Sequence, residues 1–141
     1  MKTCTSRKVI KVILSLFLAF FCLFTADRAL ASDYDHYNPI EKDASSTGFE
    51  TLQHLNKDVC GWISLDGTKV DYPLLQSQDN VKYLDRNAFG DYTVSGSIFL
   101  DYRFNPNFTD FNTIIYGHSM ASGAMFGEIQ KFADQDFFEK H

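Results

Sequence analysis

Residues 58–76, DVCGWISLDGTKVDYPLLQ, contain two apolar runs on either side of the turn signal DGT. From Val70 onward, apolar side chains recur at every second position, the spacing at which one face of a strand is buried. Two such runs around a Gly-containing turn predict a β-hairpin over 59–75. Pro73 has no backbone N–H, so it predicts a sheet edge or a bulge at its own position.

The segments on either side of the hairpin predict further short elements. FETLQHLN (49–56) has apolar residues at helical spacing, and DNVKYLDRNAF (79–89) favours a short helix or a turn. SGSIFLDY (95–102) and TIIY (113–116) are two more strand candidates, because apolar and β-branched residues are concentrated in them. The sequence therefore predicts a mainly β fold that is preceded by an N-terminal helix.

The stretch GAMFGEIQKFADQDFFEKH (123–141) predicts a helix after the last strand. Met125, Ile129 and Phe132 would share one face of such a helix. A second helix is expected to begin within ADQDFFEKH, with Asp134 as its N-cap, because a carboxylate accepts hydrogen bonds from the unpaired N–H groups of a first turn.

Residues 1–31 differ in character from the rest of the chain. Four basic residues precede the uncharged apolar run VILSLFLAFFCLFTA (12–26), and ALA (29–31) has the form of a signal-cleavage site. Because the run is shorter than the ~20 residues of a membrane-spanning helix, the segment predicts a signal peptide, with an uncleaved signal anchor as the alternative. The polar residues 32–48 predict a linker or stalk, and 49–141 a domain outside the cytoplasm.

Charge and metal-ligand spacing disfavour several kinds of partner. The net charge is −5, and all but one of the acidic residues follow residue 31, which argues against nucleic acid as a partner. The four histidines show no H-x-x-x-H spacing, so neither a metal site nor a cofactor is expected. Cys60 lies among apolar residues, where a buried and unreactive thiol is the ordinary state. A reactive dyad of Cys60 with His118 is the alternative.

One histidine, His118, directly follows the stretch NTIIYG. A side chain at a strand end is held in fixed geometry at the rim of a fold. Since histidine changes its charge near neutral pH, His118 is a candidate for proton transfer. The alternative is a histidine that closes the strand and hydrogen-bonds to a backbone carbonyl.

Five blocks of sequence, taken in order, resemble the N-terminal portion of class B sortases. They are NKDVCGWISLDGTKVDYPLLQSQDN, YLDRNAFG, SGSIFLDYR, NTIIYGHSM and AMFGEIQKFADQDFFEKH. The resemblance extends from about Leu52 to His141, and the basic, apolar N-terminus agrees with enzymes that are tethered outside Gram-positive cells. It implies an incomplete β-barrel of sortase type, with a helix before the barrel and another after the His-bearing strand.

The resemblance also implies a cysteine transpeptidase. In the family, a Cys thiolate attacks a sorting-signal peptide after a Thr, and an amine of a cell-wall precursor or a pilin then resolves the thioacyl enzyme. His118 matches the family's proton-transferring histidine, and Tyr116, Asn80 and Leu84 match positions that line its peptide groove. Judged from the residues alone, each of these three has an alternative: strand packing for Tyr116, a turn for Asn80 and the core for Leu84.

The resemblance locates the family's nucleophile in a later T-L-x-T-C type motif and its arginine on the strand after that. Arg86 and Arg103 match other blocks, so neither is expected to replace that arginine. We therefore expect a fragment that is inactive alone and lies on the extracellular face of the membrane, or is secreted if cleaved near Ala31. The alternatives are a secreted, noncatalytic β module that binds peptide or cell wall, and a Cys60–His118 hydrolase. The sorting motif and the acceptor amine stay open.

Overall fold

The computed structural model describes residues 34–40 and 47–141. Its elements in chain order are a 3₁₀ helix (Asp35–Tyr37), α1 (Thr47–Leu55), β1 (Val59–Ser64), β2 (Asp71–Leu75), a 3₁₀ helix (Lys82–Leu84), β3 (Ile98–Leu100), β4 (Ile115–Tyr116), a 3₁₀ helix (Ile129–Ala133) and α2 (Gln135–Lys140). The predicted signal or anchor segment, 1–31, lies outside the described residues. In the part that is described, no helix has both the length and the hydropathy needed to cross a bilayer.

The strands form one four-stranded sheet in the order β1-β2-β3-β4. β1 and β2 are antiparallel, with Trp62 opposite Pro73 and a register shift between Val59 and Gly61, which confirms the predicted hairpin. β3 runs parallel to β2 and antiparallel to β4. Because the pairing of β2 with β3 begins only at Leu74, the missing N–H of Pro73 interrupts no hydrogen bond on that side.

The hydrophobic core joins α1 to the sheet. Leu52 of α1 is fully buried, and so are four leucine and isoleucine side chains of the strands: Leu74, Leu75, Ile98 and Leu100. Burying a side chain of this size contributes about 1.5–3 kcal/mol. These residues hold the central strands in place, and the candidate site lies at the start of β3 and the end of its neighbour β4.

Several elements agree with the periodicity of the sequence, but two strands are shorter than predicted. The helix expected over 49–56 is present as α1, whereas the strands expected over 95–102 and 113–116 are reduced to β3 and β4. The residues that flank β3 form turns instead: Gly96 N donates to Thr93 O at 3.2 Å, and Phe104 N donates to Asp101 O at 3.1 Å. Within the described residues, β1 and β4 each have one neighbour, so this sheet is open.

The continuous helix predicted from residue 123 is wrong. Gly123 and Met125 have φ values of 85° and 54°, and a right-handed helix excludes positive φ. Met125 N donates instead to the hydroxyl of Tyr72 at 3.2 Å, a tertiary contact that takes the place of a helical hydrogen bond. The second helix is present as α2, and Asp134 caps it as predicted, with Oδ1 accepting from Phe137 N at 2.9 Å.

Residues 34–40 pack against the domain, which differs from the linker predicted over 32–48. The ring of Tyr34 stacks on Phe89 with centroids 5.4 Å apart, and Asn38 Nδ2 donates to Asp71 Oδ2 at 2.7 Å. Both anchoring side chains are buried. A low aliphatic content indicated a linker, but composition does not reveal that one aromatic ring and one amide find partners far along the chain.

Candidate functional site

A cleft opens between the end of β4 and the 3₁₀ helix that contains Leu84. Its volume is about 190 Å³, and its lining consists of Tyr83, Leu84, Ser95, Ser97, Phe99, Tyr116, Gly117 and His118. Three separate segments meet here, namely the 3₁₀ helix, β3 with the turn before it, and the end of β4. Of the four site residues predicted from the sequence, Leu84, Tyr116 and His118 therefore lie together.

His118 stands at the rim of the cleft, two residues past the end of β4, with its side chain exposed. A backbone hydrogen bond fixes this position, because His118 O accepts from Phe126 N at 2.9 Å. Gly117 permits this packing, since a Cβ at that position would lie 2.6 Å from Cδ2 of the Phe126 ring. Within residues 34–40 and 47–141, no hydrogen bond or ion pair engages the imidazole. The predicted alternative of a carbonyl-bonded histidine is thus not found.

Tyr116 forms one wall of the cleft. Its ring packs on Phe99 with centroids 5.3 Å apart, and its hydroxyl donates to Oδ2 of Asp101 at 3.0 Å. The hydrogen bond to Asp101 raises the pKa of Tyr116, because a phenolate beside a carboxylate is disfavoured. The side chain is 37% exposed, so strand packing accounts for only part of its surface.

Leu84 also lines the cleft and is 58% exposed, so the alternative that it is a core residue is wrong. The turn behind it fixes its position. Ser97 N donates to Tyr83 O at 2.9 Å, and Gly96 lies directly against the carbonyl oxygens of Tyr83 and Leu84. An exposed leucine in the same lining as Tyr116 offers apolar contact to whatever enters the cleft.

Asn80 lies behind the cleft rather than in its lining. Its Nδ2 donates to Asp101 Oδ2 at 3.0 Å, and its Oδ1 accepts from Tyr102 N at 3.1 Å. The fourth predicted residue is therefore connected to Tyr116 through the carboxylate of Asp101, and the structure does not bring its amide into the cleft lining.

Sequence reasoning did not predict six residues of this region, which are Asp101 and five residues of the lining: Tyr83, Ser95, Ser97, Phe99 and Gly117. A signal for Asp101 was present, because an acidic residue directly after the apolar run SIFL must find partners if it is buried. The two serines carry no such signal. Their place in the lining depends on how the turn before β3 folds back, which Ser97 Oγ stabilises by donating to Arg86 O at 2.7 Å.

Cys60 lies in β1 and is not part of the cleft lining. Its Sγ is 3.5 Å from Leu74 O, and burial raises the pKa of the thiol to about 11. A thiol that keeps its proton at neutral pH is a poor nucleophile, so the structure does not support a Cys60–His118 dyad. The described residues also contain no group of three or more side chains that could together hold a metal ion.

Alkylation of Cys60 by iodoacetamide is expected to be slow at neutral pH. With the thiol pKa raised to about 11, about one thiol in 10⁴ is ionised at pH 7, roughly 300-fold less than for an ordinary thiol with a pKa of about 8.5. Mass-spectrometric peptide mapping separates Cys60 from Cys4 and Cys22, and glutathione serves as the reference thiol. A rate close to that of glutathione, lost on His118→Ala, would contradict this prediction and restore the dyad.

Comparisons with known proteins agree on one family. No protein-family model matches the chain. Sortase B of Listeria monocytogenes is 45% identical over 108 residues, which cover 71% of this chain and 44% of that protein. The structure of sortase B from Bacillus anthracis has a TM-score of 0.71 at 37% identity, over 86% of this chain and 60% of that chain. A Streptococcus pyogenes class B sortase involved in pilus biogenesis has a TM-score of 0.64 at 43% identity, over 66% of this chain and 51% of that chain.

The chain thus spans less than half the length of the curated relatives that it matches. Over the shared part, sequence identity and backbone similarity indicate the same family independently. By sequence and by fold, the chain is similar to class B sortases over the part of their length that it spans.

Proposed function

We propose that this protein is a sortase-type cysteine transpeptidase and that the cleft binds the sorting-signal peptide on which it acts. The observation that supports this proposal is the meeting of Leu84, Tyr116 and His118 around one hollow of about 190 Å³. An apolar wall suits a peptide side chain, a phenol can orient the peptide backbone, and an unpaired imidazole can carry protons.

His118 supplies the proton transfers in this proposal. A Cys thiolate attacks the backbone carbonyl carbon of the Thr residue in the peptide. A thioester forms as the C–N bond between that Thr and the next residue breaks. The imidazolium gives its proton to the leaving amine. An incoming amine then attacks the thioester and loses its proton to the imidazole as the thiolate departs. Both groups thereby return to their starting protonation states.

The thiol in this proposal is not Cys60. Cys60 lies outside the cleft lining, and burial raises the pKa of its thiol to about 11. We infer that the nucleophile comes from a part of the protein beyond these 141 residues, which agrees with a chain that spans 44% of Listeria monocytogenes sortase B. Arg103 is not a substitute for the family's arginine, because its Nη2 is bound to Asp101 Oδ2 at 2.7 Å.

We further propose that the protein works on the outer face of the membrane, anchored or exported through residues 1–31. Four basic residues followed by the apolar run 12–26 support this orientation. The acceptor in the proposal is an amine of a cell-wall precursor or of a pilin. The pilus role of the Streptococcus pyogenes relative supports the second of these two acceptors.

Binding of a short threonine-containing sorting peptide to the full chain tests the proposed role of the cleft. Leu84→Asp introduces a carboxylate into the apolar wall and is expected to raise Kd at least about tenfold, because desolvating an unpaired charge costs more than about 1.4 kcal/mol. Isothermal titration calorimetry measures the difference.

Leu55→Asp is the matched control for this experiment. Leu55 is 63% exposed, against 58% for Leu84, but it lies in α1 and outside the cleft lining. The control should bind the peptide as the wild type does. Equal losses in both variants, or unchanged affinity in Leu84→Asp, would count against the cleft as the peptide site.

A noncatalytic module that binds peptide is the second candidate. The cleft lining given by the described residues supports it, because binding requires the cleft but no reactive thiol. The protein made from the complete reading frame separates the two candidates. Transfer of a threonine peptide to an added amine would exclude the binding module, whereas tight binding without transfer would favour it. Transfer by the 141 residues alone would contradict the inference about the nucleophile.

A further inference from the structure

Asp101 is fully buried directly after β3, and its carboxylate is surrounded by donors. Oδ1 accepts from N and Nε of Arg103, both at 2.9 Å. Oδ2 accepts from Nη2 of Arg103 at 2.7 Å, from Asn80 Nδ2 at 3.0 Å and from the hydroxyl of Tyr116 at 3.0 Å. The guanidinium of Arg103, with these other donors, holds the pKa of Asp101 well below its usual range. The carboxylate is therefore ionised and can only accept hydrogen bonds.

This ionised partner determines the direction in which the Tyr116 proton points. The carboxylate of Asp101 has no proton to give, so the Tyr116 hydroxyl is the donor in their bond. A phenol carries a single proton and two acceptor sites. Once that proton is directed at Asp101, the hydroxyl oxygen can offer only acceptor sites to the cleft.

Asp101 orients a second group in the same way. Asn80 donates through Nδ2 to Asp101 and accepts through Oδ1 from Tyr102 N. Asp101 requires a donor and Tyr102 N requires an acceptor, so flipping the Asn80 amide would lose both hydrogen bonds. Asp101 thus fixes the orientation of groups on two elements that are far apart in the chain, the loop after β2 and the strand β4.

We propose that Asp101 is a positioning residue that makes Tyr116 a hydrogen-bond acceptor for a backbone N–H of the bound peptide. This inference rests on the proposed function, because it assigns Tyr116 a role toward the peptide in the cleft. Tyr116 is then neither a donor to a peptide carbonyl nor a source of protons for His118. An extended peptide that turns one N–H toward this wall is favoured over one that turns a carbonyl toward it.

Titration of the Tyr116 phenol in the full chain tests the orientation. NMR of tyrosine labelled at Cζ follows each phenol, and Tyr116→Phe assigns the signal among the seven tyrosines. We expect Tyr116 in the wild type to ionise above the ordinary value of about 10. Arg103, the other charged group that acts on Tyr116, works in the opposite direction. Ionisation at or below the ordinary value in the wild type would overturn the inference without the need for any folded variant.

Asp101→Asn tests whether the charge of Asp101 causes the raised pKa of Tyr116. The substitution keeps the shape of the side chain and removes its charge, so the pKa of Tyr116 should fall toward its ordinary value. Tyr92→Phe is the control, because Tyr92 is 73% exposed and lies on a different loop. A Tyr116 titration in folded Asp101→Asn identical to that of the wild type would contradict the role given to Asp101.

A second experiment asks what the Tyr116 oxygen accepts. Each backbone amide of a short threonine-containing peptide is replaced in turn by an ester, which removes one N–H without adding bulk. We expect one ester to bind the wild type about 3- to 10-fold more weakly than the amide peptide. Tyr116→Phe should bind that ester and the amide peptide equally, because the acceptor is gone. Equal penalties in the wild type and in Tyr116→Phe for every ester would overturn the acceptor role.

The two experiments separate this inference from the proposed function. If the peptide binds but no ester couples to Tyr116, the proposed function stands and the acceptor role fails. If no threonine peptide binds, the proposed function and the acceptor role fail together, while the titration still determines whether Asp101 orients Tyr116.

Discussion

Replacing His118 with alanine is expected to slow the transfer of a threonine peptide to an amine by about 10²- to 10⁴-fold, the usual contribution of a positioned general acid–base group. The imidazole is exposed at the rim of the cleft, and its backbone is held by the hydrogen bond from Phe126 N. Alanine removes the proton carrier but keeps that backbone bond. The loss should therefore appear in kcat, with little change in the affinity for the peptide.

The assay requires the protein made from the complete reading frame and a matched histidine control. His54 of α1 is also exposed, and its Nδ1 lies 3.4 Å from Lys57 Nζ, so His54→Ala removes an imidazole from a surface outside the cleft lining. We expect His54→Ala to retain wild-type transfer. Transfer rates in His118→Ala within a few fold of the wild type would remove His118 from the proposed mechanism.

Gly96→Ala is expected to lower the free energy of unfolding by at least about 3 kcal/mol. Gly96 has a φ of 60°, which costs a residue with a Cβ about 1–2 kcal/mol. The added Cβ would also lie 2.5 Å from the carbonyl oxygens of both Tyr83 and Leu84. Since both atoms belong to the backbone, the 3₁₀ helix must move as a unit. The Leu84 wall of the cleft would move with it, so peptide binding should weaken as well.

Gly90→Ala separates the two contributions to this loss. Gly90 also has a positive φ, of 90°, but a Cβ there would meet no heavy atom within 4 Å. Urea denaturation of Gly90→Ala should show only the backbone cost of about 1–2 kcal/mol. If the two alanine variants lose the same free energy of unfolding, the close approach of Gly96 to the carbonyl oxygens contributes nothing to the loss.

Local patterns were sufficient for the elements whose stability is itself local. Alternation around the DGT turn predicted the hairpin of β1 and β2, and a carboxylate before the last helix predicted the cap at Asp134. Both depend on residues that are close together in the chain. The helix expected from residue 123 failed because the N–H of Met125 bonds to Tyr72, a partner that no local pattern reveals.

The candidate site was likewise predicted only in part from the sequence. His118 could be singled out because it follows an apolar strand, and the resemblance of the surrounding blocks added Tyr116, Leu84 and Asn80. The resemblance did not distinguish side chains that line the cleft from one that lies behind it. Hydrogen bonding made that distinction, since both ends of the Asn80 amide are engaged by Asp101 and Tyr102.

The sequence by itself determined the hairpin, the capped last helix, the strand just before His118 and the resemblance to a family, because each follows from neighbouring residues or from blocks in linear order. Only the tertiary structure decided that Leu84, Tyr116 and His118 line one cleft. It also decided that the carboxylate of Asp101 accepts the hydrogen bond of the Tyr116 hydroxyl. The physical reason is that these contacts depend on the parallel pairing of β2 with β3 and on the register of β3 with β4, which bring distant segments together.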